Sequence, residues 1–199
     1  MSKTTREEIL KKATSLFLKN GYEQTSLTDI ANAVGLQKPS LYSRFKSKED
    51  IFRKVVEYYL VNMQKPDKKF GTTTDKSMKE FIEFYLSRVD LCMRTYDKDI
   101  CINAFANRCF SFMLELGRFD PQYAVIIPNV NVAEITMWTS VIEQAKEKGE
   151  VKKEIDSKQV AASLRYSFLG LCYSCAIGGR VTIEQLRSLL FGIYDTIKA

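Results

Sequence analysis

Apolar residues return every three or four positions along most of the chain, the spacing of one face of an α-helix. Ile9, Leu10, Ala13, Leu16 and Phe17 predict a first helix from about 4 to 20, stopped at Gly21. Ile30, Ala31 and Val34 predict a short second one; Ser26 is its candidate N-cap, with Asp29 at capping-box spacing. Gly35 follows where a helix needs a left-handed stop, and Leu36 can plug the corner. Pro39 suits the first turn of a third helix, because its missing N–H has no intrahelical partner there. Leu41 and Phe45 face that helix inward and leave Lys38, Ser40, Tyr42, Ser43 and Arg44 outward. A fourth helix should start after Ser47, with Asp50 at capping-box spacing, bury Ile51, Phe52, Val55 and Val56, and fade before Pro66.

The basic and polar run 64–76, QKPDKKFGTTTDK, reads as the main loop and the junction between two units. Beyond it the pattern stays helical. Phe81, Phe84, Tyr85, Val89 and Cys92 suggest one helix, and Ile102, Phe105, Ala106, Cys109 and Met113 another over about 99–116. Pro121 and Pro128 are expected to bracket a break before a helix over about 130–148, which carries Val132, Ile135, Trp138, Val141, Ile142 and Ala145. Asp156 and Gln159 open the next at capping-box spacing, Gly178 and Gly179 close it, and Thr182 starts the last. These two final helices are apolar on more than one face. Leu164, Phe168, Leu171, Leu186, Leu189, Leu190, Ile193 and Tyr194 are therefore expected to pack both inside the subunit and against a second copy.

Charge sharpens the reading of the N-terminal segment. Residues 36–54 hold six Lys and Arg (Lys38, Arg44, Lys46, Lys48, Arg53, Lys54) against Glu49 and Asp50, which is +4 of a whole-chain net charge of +6. Two short helices meeting at a Gly turn, the second polar and basic outside, have the form that places its second helix in the major groove of DNA. Thr28 and Lys48, each in the first turn of a helix, sit where free N–H groups favour a phosphate. With no His in 199 residues, His-dependent triads and nearly all familiar catalytic zinc sites are excluded. There is no phosphate-binding Gly loop either, so no enzyme, cofactor or metal is expected. The N-terminus is too charged for a signal peptide, and the apolar stretch around 168–179 is short and Gly-rich for a membrane span. Five Cys with no framework spacing fit reduced thiols and a cytoplasmic protein.

One family pattern runs through the same segment: T-R-E-E-I-L at 5–10, L-F at 16–17, G-Y at 21–22, T-S-L-T-D-I-A at 25–31, V-G-L at 34–36, S-L-Y at 40–42, Phe45 and S-K-E at 47–49. It resembles the N-terminal domain of TetR-family transcriptional regulators, over about the first quarter to third of the chain. The resemblance implies an all-α fold: a three-helix DNA-binding domain with a helix-turn-helix over 1–47, and a larger helical ligand-binding and dimerisation domain over 48–199, joined by the helix 48–64. It implies DNA contacts from Thr28, Pro39, Ser40, Tyr42 and Lys48, while Lys38 lies where members differ and is expected to set sequence preference. It further implies a homodimer through the last two helices, reading a palindromic operator, and a small-molecule effector that shifts the DNA-reading heads, most commonly in a repressor.

An apolar or aromatic effector would suit a lining drawn from Phe84, Tyr85, Arg88, Cys92, Tyr96, Phe105, Phe112, Met137, Trp138 and Phe168, although such residues at helical spacing are more often plain core. Glu134 and Arg88 could anchor a ligand, but a solvated position is the expectation for both. Cys172 and Cys175 share a helix face and read as buried apolar residues rather than a redox pair. The alternative function is a DNA-associated helical interaction protein with no effector.

Overall fold

The computed structural model describes residues 4–61, 70, 76–100, 113, 116, 121 and 123–199. Among these the regular elements are helices, apart from one antiparallel bridge between Val151 and Lys198. They are α1 (Arg6–Asn20), α2 (Leu27–Ala33), α3 (Lys38–Tyr42), α4 (Lys48–Val55), α5 (Met78–Ile100), α6 (Tyr123–Glu147), α7 (Ser157–Ile177) and α8 (Ile183–Ile197). A π-helical turn, Val56–Val61, continues α4.

Local chemistry sets the helix ends. Thr5 caps α1 in a reciprocal box with Glu8, at 3.1 and 2.7 Å. Ser26 caps α2 the same way: its hydroxyl accepts from the Asp29 N–H at 3.1 Å, and the Asp29 carboxylate accepts from the Ser26 N–H at 2.8 Å. Gly35, at φ 66°, makes the left-handed turn to α3 that other residues resist. Ser47 caps α4 through the Asp50 N–H at 3.1 Å, but the box there is half made, because the Asp50 carboxylate accepts from the Lys46 N–H instead. Asp156 caps α7 by accepting from both Lys158 and Gln159 amides, and Thr182 forms a full box with Gln185. Ser77 caps α5 with Glu80, and the Glu150 carboxylate takes the next two N–H groups, of Met78 and Lys79, at 2.7 and 3.0 Å.

Two cores form. In the first, α1 packs on α2 and α4, and Ile9, Ala13, Phe17, Ile30, Ala31, Leu41, Phe45, Ile51, Phe52, Val55 and Val56 are buried together. Phe17 and Phe52 meet edge to face at 5.3 Å, and Tyr22 closes on Phe52 at 4.5 Å. Ile51, Phe52, Val55 and Val56 of the helix that follows Ser47 pack in this core, which also receives Leu116 and Tyr123 from the rest of the chain. The second core joins α5, α6, α7 and α8 around Trp138, Phe81 and Tyr85. The bridge at Val151 and the Lys152 N–H to Ile197 carbonyl bond, at 3.0 Å, tie the end of the chain to the α6–α7 turn.

The expected break between Pro121 and Pro128 does not occur: α6 starts at Tyr123 and carries Pro128 inside it. Pro128 removes one backbone bond, yet the helix holds because its following turns are buried on α5 and α7. The expected helix over 99–116 and the loop over 64–76 lie largely outside the described residues. Among the described residues one helix, Ser157–Ile177, is by length and composition apolar enough to cross a membrane, a test that the core helix of a bundle passes as well. Its inner face carries buried Arg165, paired with Glu134 of α6, which binds it into the bundle.

Candidate nucleic-acid interface

The short α3 is held from behind and bare in front. Leu41 and Phe45 are buried in the first core, while Lys38, Pro39, Ser40 and Ser43 are exposed and Tyr42 is 52% exposed. The Ser43 hydroxyl donates to the Ser40 carbonyl at 2.9 Å, which keeps it on its own helix in the unbound protein. Thr28 is exposed in the first turn of α2.

The six cations of residues 36–54 divide into distinct roles. Arg53 and Lys54 pair with Glu49 and Asp50 one turn earlier, at 2.9 and 3.1 Å. Arg44 is half-buried and donates to the Thr4 carbonyl, so it ties the start of α1 to the end of α3. Lys48 folds back on the turn after α1: its Nζ donates to the Tyr22 carbonyl at 3.0 Å and lies 4.1 Å from the Tyr22 ring centroid. Lys38 and Lys46 are exposed and have no side-chain hydrogen bond or ion pair among the described residues. The +4 counted along the sequence is therefore concentrated, on the surface, in Lys38 and Lys46. The contacts of Arg44 and Lys48 depend on Thr4 and Tyr22, which lie 40 and 26 positions away, so spacing along the chain could not reveal them.

In the second unit, Tyr85, Trp138 and Phe168 converge in the core. Trp138 lies 5.0 Å from Tyr85, Phe168 lies 6.5 Å from it, and Phe70 stacks on the other side of Tyr85 at 4.7 Å. Phe84, Arg88, Cys92 and Met137 are half-buried. Phe105 and Phe112, and the side chain of Tyr96, lie outside the described residues. Glu134 is not solvated as expected but fully buried: its Oε2 accepts from Arg165 Nη1 at 2.7 Å and from the Tyr85 hydroxyl at 3.3 Å. Burial, then the Glu134 charge, pushes the Tyr85 phenol well above its ordinary pKa, so the hydroxyl stays protonated and donates.

The last two helices expose a different set from the one expected. Leu164, Leu186 and Leu190 are buried within the subunit and Phe168 nearly so; Leu171, Ile193 and Tyr194 are half-buried, with the Tyr194 hydroxyl donating to Glu150 at 3.0 Å. The 3-4 repeat of α8 is thus consumed mainly by its own core. What faces outward on α7 is Tyr166, Gly170, Tyr173 and Ile177, at spacings of 4, 3 and 4, joined by Leu189 of α8. Ile177 is 74% exposed. The signal was present in the second apolar face of α7, but which face the subunit would bury was not.

A helix-turn-helix with its second helix bared, mounted on a separate helical bundle, defines a DNA-binding transcriptional regulator. Comparison with known proteins agrees: a model of bacterial regulatory proteins of the tetR family matches residues 9–55, the helix-turn-helix segment. Over 185 residues the chain is 25% identical to the HTH-type transcriptional repressor ComR of Escherichia coli K12, covering 92% of this chain and 84% of that one. A 52-residue stretch is 42% identical to the icaADBC negative transcriptional regulator IcaR of Staphylococcus epidermidis, over 26% of this chain and 28% of IcaR. Among solved structures, a TetR-family regulator from Rhodococcus superposes with a TM-score of 0.67 at 18% identity, over 96% and 97% of the two chains. The ketosteroid regulator KstR2 of Mycobacterium tuberculosis gives 0.65 at 18%, over 100% and 97%. The likeness in structure establishes the fold of the whole chain; the likeness in sequence is strongest in the DNA-binding segment.

Proposed function

We propose that this protein is a repressor that binds a palindromic operator as a homodimer and is released by a small apolar or aromatic effector. The observation that carries the DNA part is the outer face of α3, where Lys38, Pro39, Ser40, Tyr42 and Ser43 are exposed on a helix fixed from behind by buried Leu41 and Phe45. Lys38 and Ser40 reach base edges, Tyr42 and Thr28 meet phosphates, and Lys48 positions the turn at Tyr22 while offering a further N–H to the backbone. Arg44 acts chiefly as a strut. The seam Tyr166, Gly170, Tyr173, Ile177 and Leu189 supports the dimer, because an apolar stripe with a glycine in it admits a close helix from a twin subunit. A two-fold dimer presents its reading helices to successive turns of one groove, roughly 34 Å apart.

Selection of bound DNA from a random pool tests this reading. The expected result is an inverted repeat whose half-sites are spaced by about one helical turn. A recovered sequence without two-fold symmetry overturns the homodimeric operator, and no enrichment at low salt overturns specific DNA reading by α3.

A further inference from the structure

The start of α1, which by its apolar stripe is a supporting helix, comes in space to the far end of the reading helix. The Arg6 guanidinium carbon lies 4.9 Å from the centroid of the Phe45 ring, although the two residues are remote in the chain. Arg6 is held there from both sides. Thr5 and Glu8 fix the first turn of α1 in their capping box, and Arg44 ties that turn to the end of α3 through the Thr4 carbonyl. Phe45 is itself locked in the first core. A cation over a ring is held by the negative face of the ring, so its N–H fork keeps its capacity for an oxyanion. Arg6 is exposed and makes no hydrogen bond or ion pair among the described residues, so that fork is placed but unspent.

Lys46, next after Phe45, is exposed and its ammonium is equally unengaged, while its N–H donates to Asp50 at 3.0 Å. Asp50, which feels the Arg6 charge, is the acid of the group and is already paired with Lys54 at 3.1 Å. Arg6, Lys46 and Lys54 against Asp50 leave +2 beside the end of α3. A helix that enters the major groove has phosphates along both walls of that groove. A guanidinium meets a phosphate with two parallel N–H groups, and an ammonium adds a point charge. Resting on the reading that α3 enters DNA, we propose that Arg6 and Lys46 form a phosphate seat at the end of α3. The seat fixes the depth and register of the reading helix and carries no base preference of its own. Because Phe45 orders the Arg6 side chain before DNA arrives, less rotamer freedom is lost on binding than for an unsupported surface arginine.

The full-length protein is titrated with its selected operator and with an unrelated duplex, between about 50 and 200 mM salt. Arg6→Gln and Lys46→Gln should each weaken binding to both duplexes about tenfold at low salt, the weight of one hydrogen bond to a charged group. Each should lower the log–log salt slope by about 1, and the double variant by about 2, with the selected bases unchanged. Arg6→Lys should keep the slope and lose several-fold in affinity, since the charge stays and the fork goes. Lys12→Gln removes an equally exposed charge from α1 and should leave the slope as it was. Replacing operator phosphates one at a time by uncharged methylphosphonate locates the seat: a position that weakens the parent should not weaken the double variant further. An unchanged slope in either single variant overturns the proposal, whether or not Tm falls. So does an altered base preference, an equal fall in slope for Lys12→Gln, or a double variant as sensitive as the parent to every replaced phosphate. A parent that binds neither duplex at low salt overturns the reading of α3 itself, so the two failures are distinct.

Discussion

At the scale of residues, cations that look alike along the chain behave differently once folded. Lys38 is exposed and unengaged among the described residues, whereas Lys48 is bonded to Tyr22. Lys38→Ala should therefore alter the preferred base at one position of each half-site, at a cost of about 1–3 kcal/mol for the favoured base; identical selected sites for parent and variant would remove Lys38 as a base reader. Lys48→Ala should weaken binding to all sequences alike, lower the log–log salt slope by about 1, and also loosen the turn at Tyr22. An unchanged slope with a lower Tm would leave Lys48 a strut only. Asp29 is held below the usual carboxylate range by the Ser26 hydroxyl and N–H. A depressed folded pKa means that its contribution is present above the unfolded value of about 4 and is lost as pH falls through the folded pKa. Acid unfolding followed by circular dichroism should be less steep in Asp29→Asn; equal steepness would show that the cap bond contributes nothing measurable.

At the scale of elements, caps and packing compete. Most helix starts were legible from Ser, Thr and Asp at the right spacing, because a cap is a bond between near neighbours. Pro128 was misleading for the opposite reason: its local cost is real, but α6 is held on two sides by α5 and α7. Pro128→Ala should restore the missing helical bond and raise stability, by up to about 3 kcal/mol. A thermal melt checks it, and a lower Tm would mean the proline ring itself packs or preorganises the first turns.

At the scale of the whole molecule, the exposed seam of α7 is the feature that supports the proposed dimer. Tyr173→Glu or Ile177→Glu places a charge in that seam without touching the subunit core, so the chain should stay folded and become monomeric. DNA affinity should fall with it, since a monomer loses the effective concentration of the second reading head. Light scattering beside a DNA titration reads both; a dimer that persists in both variants relocates the interface. Leu186→Glu, by contrast, should unfold the subunit, because Leu186 is completely buried.

The chain by itself determined the helical class, the helix-turn-helix, most caps and which side of α3 is left exposed, because each rests on contacts within a few positions or on one helical period. Tertiary structure alone decided three things. It chose which of two apolar faces α7 buries, since both are hydrophobic and only the neighbours α6 and α8 distinguish them. It gave Arg44 and Lys48 hydrogen-bond partners remote in sequence. And it placed Glu134 in the core, where the guanidinium of Arg165, 31 positions further along on another helix, offsets the burial of its charge.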